Sequence, residues 1–257
     1  MSLQPEIALD GWRRWNAGLE SRPEIIGTLS GGRSNRSFLL DSGIGRLVLR
    51  INGAGSSLPG ADRSNEATVW RAASEHGIAP ALVFVDNRHQ YLVSTYIEST
   101  LPADPQTDKV ILDQALKVLK TCHQMDVSAP GIDYARHIGH YWQMIEAGKK
   151  PHDPRLDRQR KPMQSTLESL ISSNTPTGLC HHDPVIANFV GTPDRLYLVD
   201  WEYAATGLQI MDYAAFATEW HIDDATIQAK TGLDRDHLKM AKALYGYLCM
   251  LWEAVTK

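Results

Sequence analysis

The residues with the clearest chemical potential lie in the stretch 179–205, LCHHDPVIANFVGTPDRLYLVDWEYAA. Within it Asp183, Asn188 and Asp200 supply a carboxylate, an amide oxygen and a second carboxylate. Two short apolar runs flank the turn-forming residues 191–194, so the spacing predicts a hairpin that folds Asn188 back towards Asp200. A cluster of hard oxygen donors at one end of a hairpin suits magnesium. Phosphoryl transfer is the chemistry that requires such a centre: it proceeds by metal-assisted positioning and electrostatics, with a carboxylate to orient the attacking hydroxyl and accept its proton. Asp183 suits that proton, and Asn188 and Asp200 suit the metal. His181, the other catalytic candidate, is expected to brace the loop backbone.

These side chains need elements to hold them. Residues 7–19 read as a short amphipathic helix, and LSGGRSNRSFLL (29–40) joins a glycine-bearing turn to an alternating, strand-like run. A turn at 41–45 and the apolar run RLVLRI (46–51) complete a hairpin. After a small-residue loop at 53–60, residues 63–76 have helical spacing with Gly77 as the C-terminal cap. Two further strands are expected at 81–85 and 90–96, and the remainder reads mainly as helices, among them 110–125 and 238–255. The change near 94–99 predicts an α+β fold of two lobes, a small strand-rich one over 1–96 and a larger helical one over 97–257, joined by a hinge. Residues 149–161, dense in Pro, Asp, Arg and Lys, predict an exposed loop between helices.

Composition narrows the setting. A chain of 257 residues with 43% hydrophobic content can bury a substantial core. Its formal charge of -4 provides no overall basic field, so nucleic acid is not an expected partner. Glu6, Asp10, Arg13 and Arg14 interrupt any apolar leader, and no later stretch approaches a membrane span. Cys122, Cys180 and Cys249 are odd in number and scattered, which fits a reducing cytoplasm better than a disulfide framework.

The block His181-x-Asp183-xxxx-Asn188, followed by Asp200-Trp201-Glu202-Tyr203-Ala204, resembles the catalytic segment of choline kinases and the related aminoglycoside phosphotransferases. Asp212 and Glu219-Trp220 fall where the choline kinase pattern has a second aspartate and a Glu-Trp pair. Upstream, Ser30-Gly31-Gly32-Arg33-Ser34-Asn35 is similar to that family's nucleotide loop, Arg50 stands where many kinase-like enzymes have a phosphate-binding lysine, and Asp62-Arg63-xx-Glu66 continues the pattern. The resemblance, over about 29–252, implies a protein-kinase-like fold that uses ATP and magnesium to phosphorylate a hydroxyl. On that reading Ser34 and Asn35 add donors to a phosphate-facing backbone, Arg50 holds phosphates while Glu66 orients it through an ion pair, and the backbone of Tyr96 and Ile97 meets adenine.

The same resemblance points to choline or a related amino alcohol as the acceptor. A quaternary ammonium needs aromatic faces and carboxylates, for which Glu202, Glu219, Trp220, Tyr245 and Trp252 are the candidates. One departure bears on this expectation: choline kinases commonly carry Trp-x-x-Trp in the late helix, whereas Cys249-Met250-Leu251-Trp252 keeps only the second tryptophan. Thiamine or an aminoglycoside are alternative acceptors. Two readings come from other classes: a metal-dependent hydrolase built on His181, His182, Asp183 and Asp200, and a catalytically silent nucleotide-binding protein. No HExxH spacing supports the first, and the retained acid, amide and carboxylate argue against the second.

Overall fold

The computed structural model describes residues 3–15, 17–29, 35–53, 60–148 and 152–256. Ser34, the rest of the glycine-bearing turn 30–34 and most of the loop 53–60 lie outside the described residues.

The first third of the chain builds one antiparallel sheet from β1 (Glu24–Leu29), β2 (Asn35–Asp41), β3 (Arg46–Asn52), β4 (Leu82–Val85) and β5 (Tyr91–Thr95), in the order β1-β2-β3-β5-β4. Period-two alternation gives β3 two different faces. Leu47, Leu49 and Ile51 join Leu9, Trp15, Leu40, Tyr91 and Val93 in a core under one face of the sheet. Val48 and Arg50 point the other way, and the register aligns Ser37, Arg50 and Leu92 across three strands on that second face.

Before this sheet the chain makes α1 (Pro5–Asp10) and a single 3-10 turn at Trp12–Arg14, not one helix over 7–19. Gly11 ends α1, its N–H capping the Ala8 carbonyl, and the apolar spacing then continues through the turn to the buried Trp15. Behind the sheet lies α2 (Arg63–Glu75). The Asp62 side chain caps it by accepting the N–H groups of Ser64 and Asn65, and Val69, Trp70 and Ala73 form its buried face. Gly77 follows at φ +72°, the left-handed conformation expected after a helix end.

The remaining chain is mainly helical: α3 (Lys109–Gln124), α4 (Tyr134–Gly148), α5 (Pro154–Ser172), α6 (Gln209–Glu219), α7 (Asp224–Thr231) and α8 (Arg235–Thr256). Ile111, Ala115 and Leu119 of α3 meet Ala214 and Phe216 of α6 and Leu238, Ala241 and Leu244 of α8 in the largest core. The expected loop at 149–161 is corrected. From Pro154 onwards it is the start of α5, opened by an Asp153 cap and a first-turn proline. Leu156, Leu167 and Leu170 face inward, while the charges that made the segment look like a loop lie on the solvent side. Arg160, for example, sits over the Trp142 ring at 4.4 Å and pairs with Glu146.

Two small ribbons sit among these helices. β6 (Thr177–Cys180) pairs with β9 (Ala205–Leu208), and β7 (Phe189–Thr192) pairs with β8 (Arg195–Leu198). The second is the expected hairpin. Its turn depends on Gly191, at φ +129°, where a Cβ would meet the Arg195 carbonyl oxygen at 2.2 Å. The hairpin is closed by the Val199 N–H, which donates to the Asn188 carbonyl at 2.9 Å and brings Asn188 beside the residue preceding Asp200.

Candidate active site

Residues 181–183 leave the end of β6 and are fixed from below by Asp212 in the first turn of α6. Its fully buried carboxylate accepts the backbone N–H groups of His181 and His182, each at 2.8 Å, and a ring N–H of His123 from α3 at 3.0 Å. Burial works to raise this carboxyl, but the hydrogen bond and charge of His123, with the neighbouring histidines, hold it down at about 2. His181 is fully buried, which pushes its ring down to about 4 and keeps it neutral. Its Nε2–H donates to the Val199 carbonyl at 3.1 Å, and its Nδ1 accepts the Asp183 N–H at 3.3 Å. These are the bonds of a brace between the loop and the far end of the hairpin.

Asp183 and Asn188 face each other. The Asn188 side-chain nitrogen donates to the Asp183 carbonyl at 2.8 Å and to its Oδ2 at 2.9 Å, which leaves the amide oxygen as the atom Asn188 can offer a metal. Burial, together with the nearby Asp200 charge, lifts the Asp183 carboxyl to about 7 against the lowering effect of the Asn188 bond. Two residues of this centre are held in the left-handed region despite having side chains, His182 at φ 64° and Asp200 at φ 67°. Such strain persists only where surrounding bonds over-determine it. His182 has them: its ring takes the Tyr134 hydroxyl at 2.9 Å and donates to the Tyr203 carbonyl at 3.1 Å.

Arg50 reaches the same centre from β3. Its guanidinium spans Glu66 at 2.6 Å, Asp200 at 2.9 Å and Asn52 at 3.1 Å. Burial disfavours the Arg50 charge, but Glu66 and Asp200 outweigh it and the group is held more firmly protonated than usual. Arg63 of α2 extends the network: it pairs with Glu66 at 3.0 Å, with Glu202, and with the Asn35 side-chain oxygen at 2.9 Å. Asn35 in turn donates to Asp200 and Glu202, each at 3.3 Å. Glu66 therefore sits beneath Arg50 and orients it. Asp200 keeps Oδ2 for a further ligand, because Arg50 and Asn35 both bind its Oδ1. A carboxylate oxygen and an amide oxygen converging here suit magnesium, which prefers hard oxygen donors.

Two cavities meet at Ala187, Asn188 and Asp200. The smaller, about 270 Å³, lies between the sheet and the hairpin, where Val48, Leu92, Val190 and Val199 provide apolar walls, Arg50 a charge, and Tyr96 and Ile97 the connecting edge. The larger, about 570 Å³, opens on the other side of Asp183 and contains five carboxylates, Asp183, Asp200, Glu202, Glu219 and Glu253, with no arginine or lysine among its described lining residues. Tyr245 donates its hydroxyl to Glu219 at 2.9 Å, and Trp252 is hydrogen-bonded to Tyr203.

Of the acceptor candidates, Glu202, Glu219, Tyr245 and Trp252 line the larger cavity, although the Glu202 charge is engaged by Arg63. Trp220 is corrected. It is fully buried, packs on Phe189 and Phe216, and donates its indole N–H to the Pro184 carbonyl at 3.1 Å, so it supports the loop from the core. The hydrolase cluster is corrected as well, because the His181 and His182 rings are committed to Val199, Tyr203 and Tyr134. Among the described residues the metal-type grouping is His123, Cys180 and Asp212, sealed in the core around an aspartate that already accepts three N–H bonds. Sequence reasoning missed His123, His137, Tyr141 and Cys249. The i, i+4 spacing of His137 with Tyr141 and of Tyr245 with Cys249 is the signal that marks shared helix faces.

The phosphotransferase enzyme family model (APH) matches residues 26–248. The thiamine kinase of Escherichia coli O1:K1 / APEC is 25% identical over 237 residues, covering 90% of this chain and 77% of that protein. The chain spans smaller shares of two other relatives: 27% of acyl-CoA dehydrogenase family member 11 of Gallus gallus, at 25% identity over 75% of this chain, and 57% of protein LicA of Haemophilus influenzae, at 24% identity over 75% of this chain. Among solved structures, a choline/ethanolamine kinase family protein from Mesorhizobium loti superposes with a TM-score of 0.74 at 23% identity, covering 97% of this chain and 85% of the other. The choline kinase LicA from Streptococcus pneumoniae gives 0.74 at 22% identity, covering 90% and 86%. Both share the sheet-plus-helices kinase-like fold, and with the family model spanning most of its length this chain belongs to the phosphotransferase enzyme family.

Proposed function

We propose that this chain transfers the γ-phosphoryl group of ATP to the hydroxyl of a small cationic alcohol, with choline or a related amino alcohol as the leading acceptor. One observation supports the reading: an acidic, aromatic cavity with no arginine or lysine among its described lining residues meets a smaller cleft, with apolar walls and the Arg50 charge, at Asn188 and Asp200, with Asp183 on the acceptor side. Carboxylates and aromatic faces are what a quaternary ammonium needs. The name of the Streptococcus pneumoniae relative supports choline, and that of the Escherichia coli relative keeps thiamine as the second reading.

In this mechanism adenine would lie against the backbone of Tyr96 and Ile97, and Asn35 and Arg50 would face the phosphates; Ser34, the further phosphate donor of this reading, lies outside the described residues. Asn188 Oδ1 and Asp200 would hold magnesium, which when bound offsets phosphate charge. Asp183 orients the acceptor hydroxyl and takes its proton as that oxygen bonds to the γ-phosphorus. The bond from the γ-phosphorus to the β–γ bridging oxygen breaks, and ADP leaves with its electron pair. His181 acts by holding the loop backbone, since its two ring nitrogens are occupied.

We place the division between lobes at 96/97, just after β5. A cytoplasmic setting fits the three free cysteines, and no helix of the described residues is long and apolar enough to cross a membrane.

The direct test is ADP release from MgATP with choline, ethanolamine, thiamine, aminoglycosides and simple sugars, with product mass confirmed. Phosphorylated choline or a phosphorylated relative is the expected product. Turnover confined to neutral sugars would overturn the cationic acceptor, and MgATP binding with no acceptor-dependent ADP from any member would favour a silent kinase fold.

A further inference from the structure

Arg50 and Asp200 reach the centre from different parts of the chain, one from β3 and the other from the end of the hairpin, yet phosphoryl transfer needs them at a fixed spacing. Arg63, the first residue of α2, is buried between their supports and lines neither cavity. Burying a guanidinium is costly, and an apolar side chain of similar size can often pack in its place at no loss of stability. What the charge adds here is its set of partners.

The Arg63 fork serves three acceptors. Its Nη1 pairs with Glu66 Oε2 at 3.0 Å and with Glu202, and its Nη2 donates to the Asn35 side-chain oxygen at 2.9 Å. Each of these contacts has a consequence at the reaction centre. Glu66, held through Oε2, turns its other oxygen to Arg50 at 2.6 Å. Asn35, with its oxygen taken, directs its nitrogen to Asp200 Oδ1 and to Glu202, each at 3.3 Å, and Asp200 Oδ2 is left free of both Asn35 and Arg50. Burial and the Asp200 charge push the Glu202 carboxyl up, and Arg63 leads the charges that oppose them. The start of α2 is fastened at the same place: the Asp62 N–H donates to the Glu202 carbonyl at 3.0 Å, and the Asn65 side chain donates to the Ala204 carbonyl at 2.6 Å. The helix therefore rests on the residues that follow Asp200, and from that base Glu66 is presented to Arg50.

We propose that Arg63 is a positioning residue for phosphoryl transfer: without lining either cavity, it sets Glu66 and Asn35 so that Arg50 and Asp200 are held together at the phosphate end of the nucleotide cleft. The inference rests on the ATP-dependent reading above and adds to it the residue that joins the phosphate-holding side of the site to its metal-holding side.

The experiment measures the dissociation constants of ATP, with and without magnesium, and of adenosine, by calorimetric titration of the wild-type chain, Arg63→Met and Arg63→Lys. Methionine keeps the length without the charge, and lysine keeps the charge without the fork that spans three acceptors. Arg63→Met is expected to weaken ATP at least tenfold and Arg63→Lys at least threefold, with adenosine within twofold of wild type in both, because the partners of Arg63 lie at the phosphate end. In steady-state kinetics the KM for ATP should rise while the acceptor KM stays within twofold. Unchanged ATP binding in folded Arg63→Met overturns the inference, and so does an equal weakening of ATP and adenosine, which is what a purely structural role would produce. If Arg63→Met does not fold, Arg63→Lys decides by the same comparison. A wild-type chain that binds no ATP removes the kinase reading and the inference together. ATP binding without turnover of any acceptor removes only the catalytic reading, since the two dissociation constants still decide whether Arg63 sets the phosphate end.

Discussion

At the scale of single residues, the site is most legible where the chemistry admits few substitutes. A hydroxyl proton and a hard cation demand oxygen ligands, so Asp183, Asn188 and Asp200 stand out in the sequence, and the hairpin brings them to the junction of two cavities. Asp183→Asn keeps the shape and the bonding partner of Asn188 while removing the proton acceptor. It should lower kcat by about 100-fold or more with MgATP affinity retained, measured by steady-state kinetics and nucleotide titration. Unchanged turnover would exclude Asp183 from the proton transfer. Trp220 shows where residue-type reasoning fails: it follows Glu219 directly, but adjacent residues on a helix do not share a face. Glu219 reaches the cavity and Trp220 goes into the core. Trp220→Phe should therefore remove the bond to the Pro184 carbonyl at a cost of about 1–3 kcal/mol in denaturant unfolding, and lower kcat for every acceptor alike. A selective rise in the KM of one acceptor would return Trp220 to the pocket.

At the scale of elements, period-two and period-3.6 patterns located most strands and helices, because each has one face committed to a core. The exceptions have local causes. Gly11 breaks the first helix, and the charges of 155–161 mask a helix whose buried side needs only Leu156 in its first two turns. Long-range pairings left less trace. His123 on α3 and Asp212 on α6 are 89 residues apart, and nothing in either segment announces that together they anchor the loop before Asp183. Arg50 is intermediate: alternation along β3 predicts its face, but its three partners come from α2, β3 itself and the residue after the hairpin. A planar fork can span such partners and an ammonium cannot. Arg50→Lys should accordingly raise the KM for ATP about tenfold, with a smaller change in acceptor KM. An unaltered KM for ATP would mean that the fork serves the fold alone.

At the scale of the whole molecule, the change from strands to helices predicted an α+β fold and the resemblance of the catalytic block its kinase-like form, whereas the larger cavity was not predictable, since α4, α6 and α8 meet only after folding. That assembly also sets the acid sensitivity of the chain. His181 is buried and His137 half-buried, and both rings are pushed down from the usual 6.5 to about 4, so the native state excludes protons that the unfolded chain binds below about pH 6.5. The unfolded state is favoured progressively as pH falls from about 6.5 to about 4, a change on the order of 3 kcal/mol for the fully buried His181. Asp212, depressed from 3.8 to about 2, behaves as a carboxylate: its contribution is complete above pH 3.8 and is lost as pH falls towards 2. Asp183 works the other way: its carboxyl, lifted from 3.8 to about 7, takes up a proton in the native state first, so it adds stability as pH falls from about 7 to 3.8 and offsets much of the His181 loss. In Asp183→Asn, where that offset is absent, thermal melts at constant ionic strength are expected to lose at least about 5 °C between pH 7 and pH 4.5, at roughly 2–4 °C per kcal/mol for a chain of this size, and the unmodified chain is expected to lose less. His137→Gln in that background should flatten the slope, because it removes one of the three histidines, His137, His181 and His182, whose rings burial pushes down, without introducing a charge. A melting temperature of Asp183→Asn unchanged over this interval would mean that the rings are not kept neutral by burial, and an unflattened slope in the double variant would assign the effect to His181 and His182.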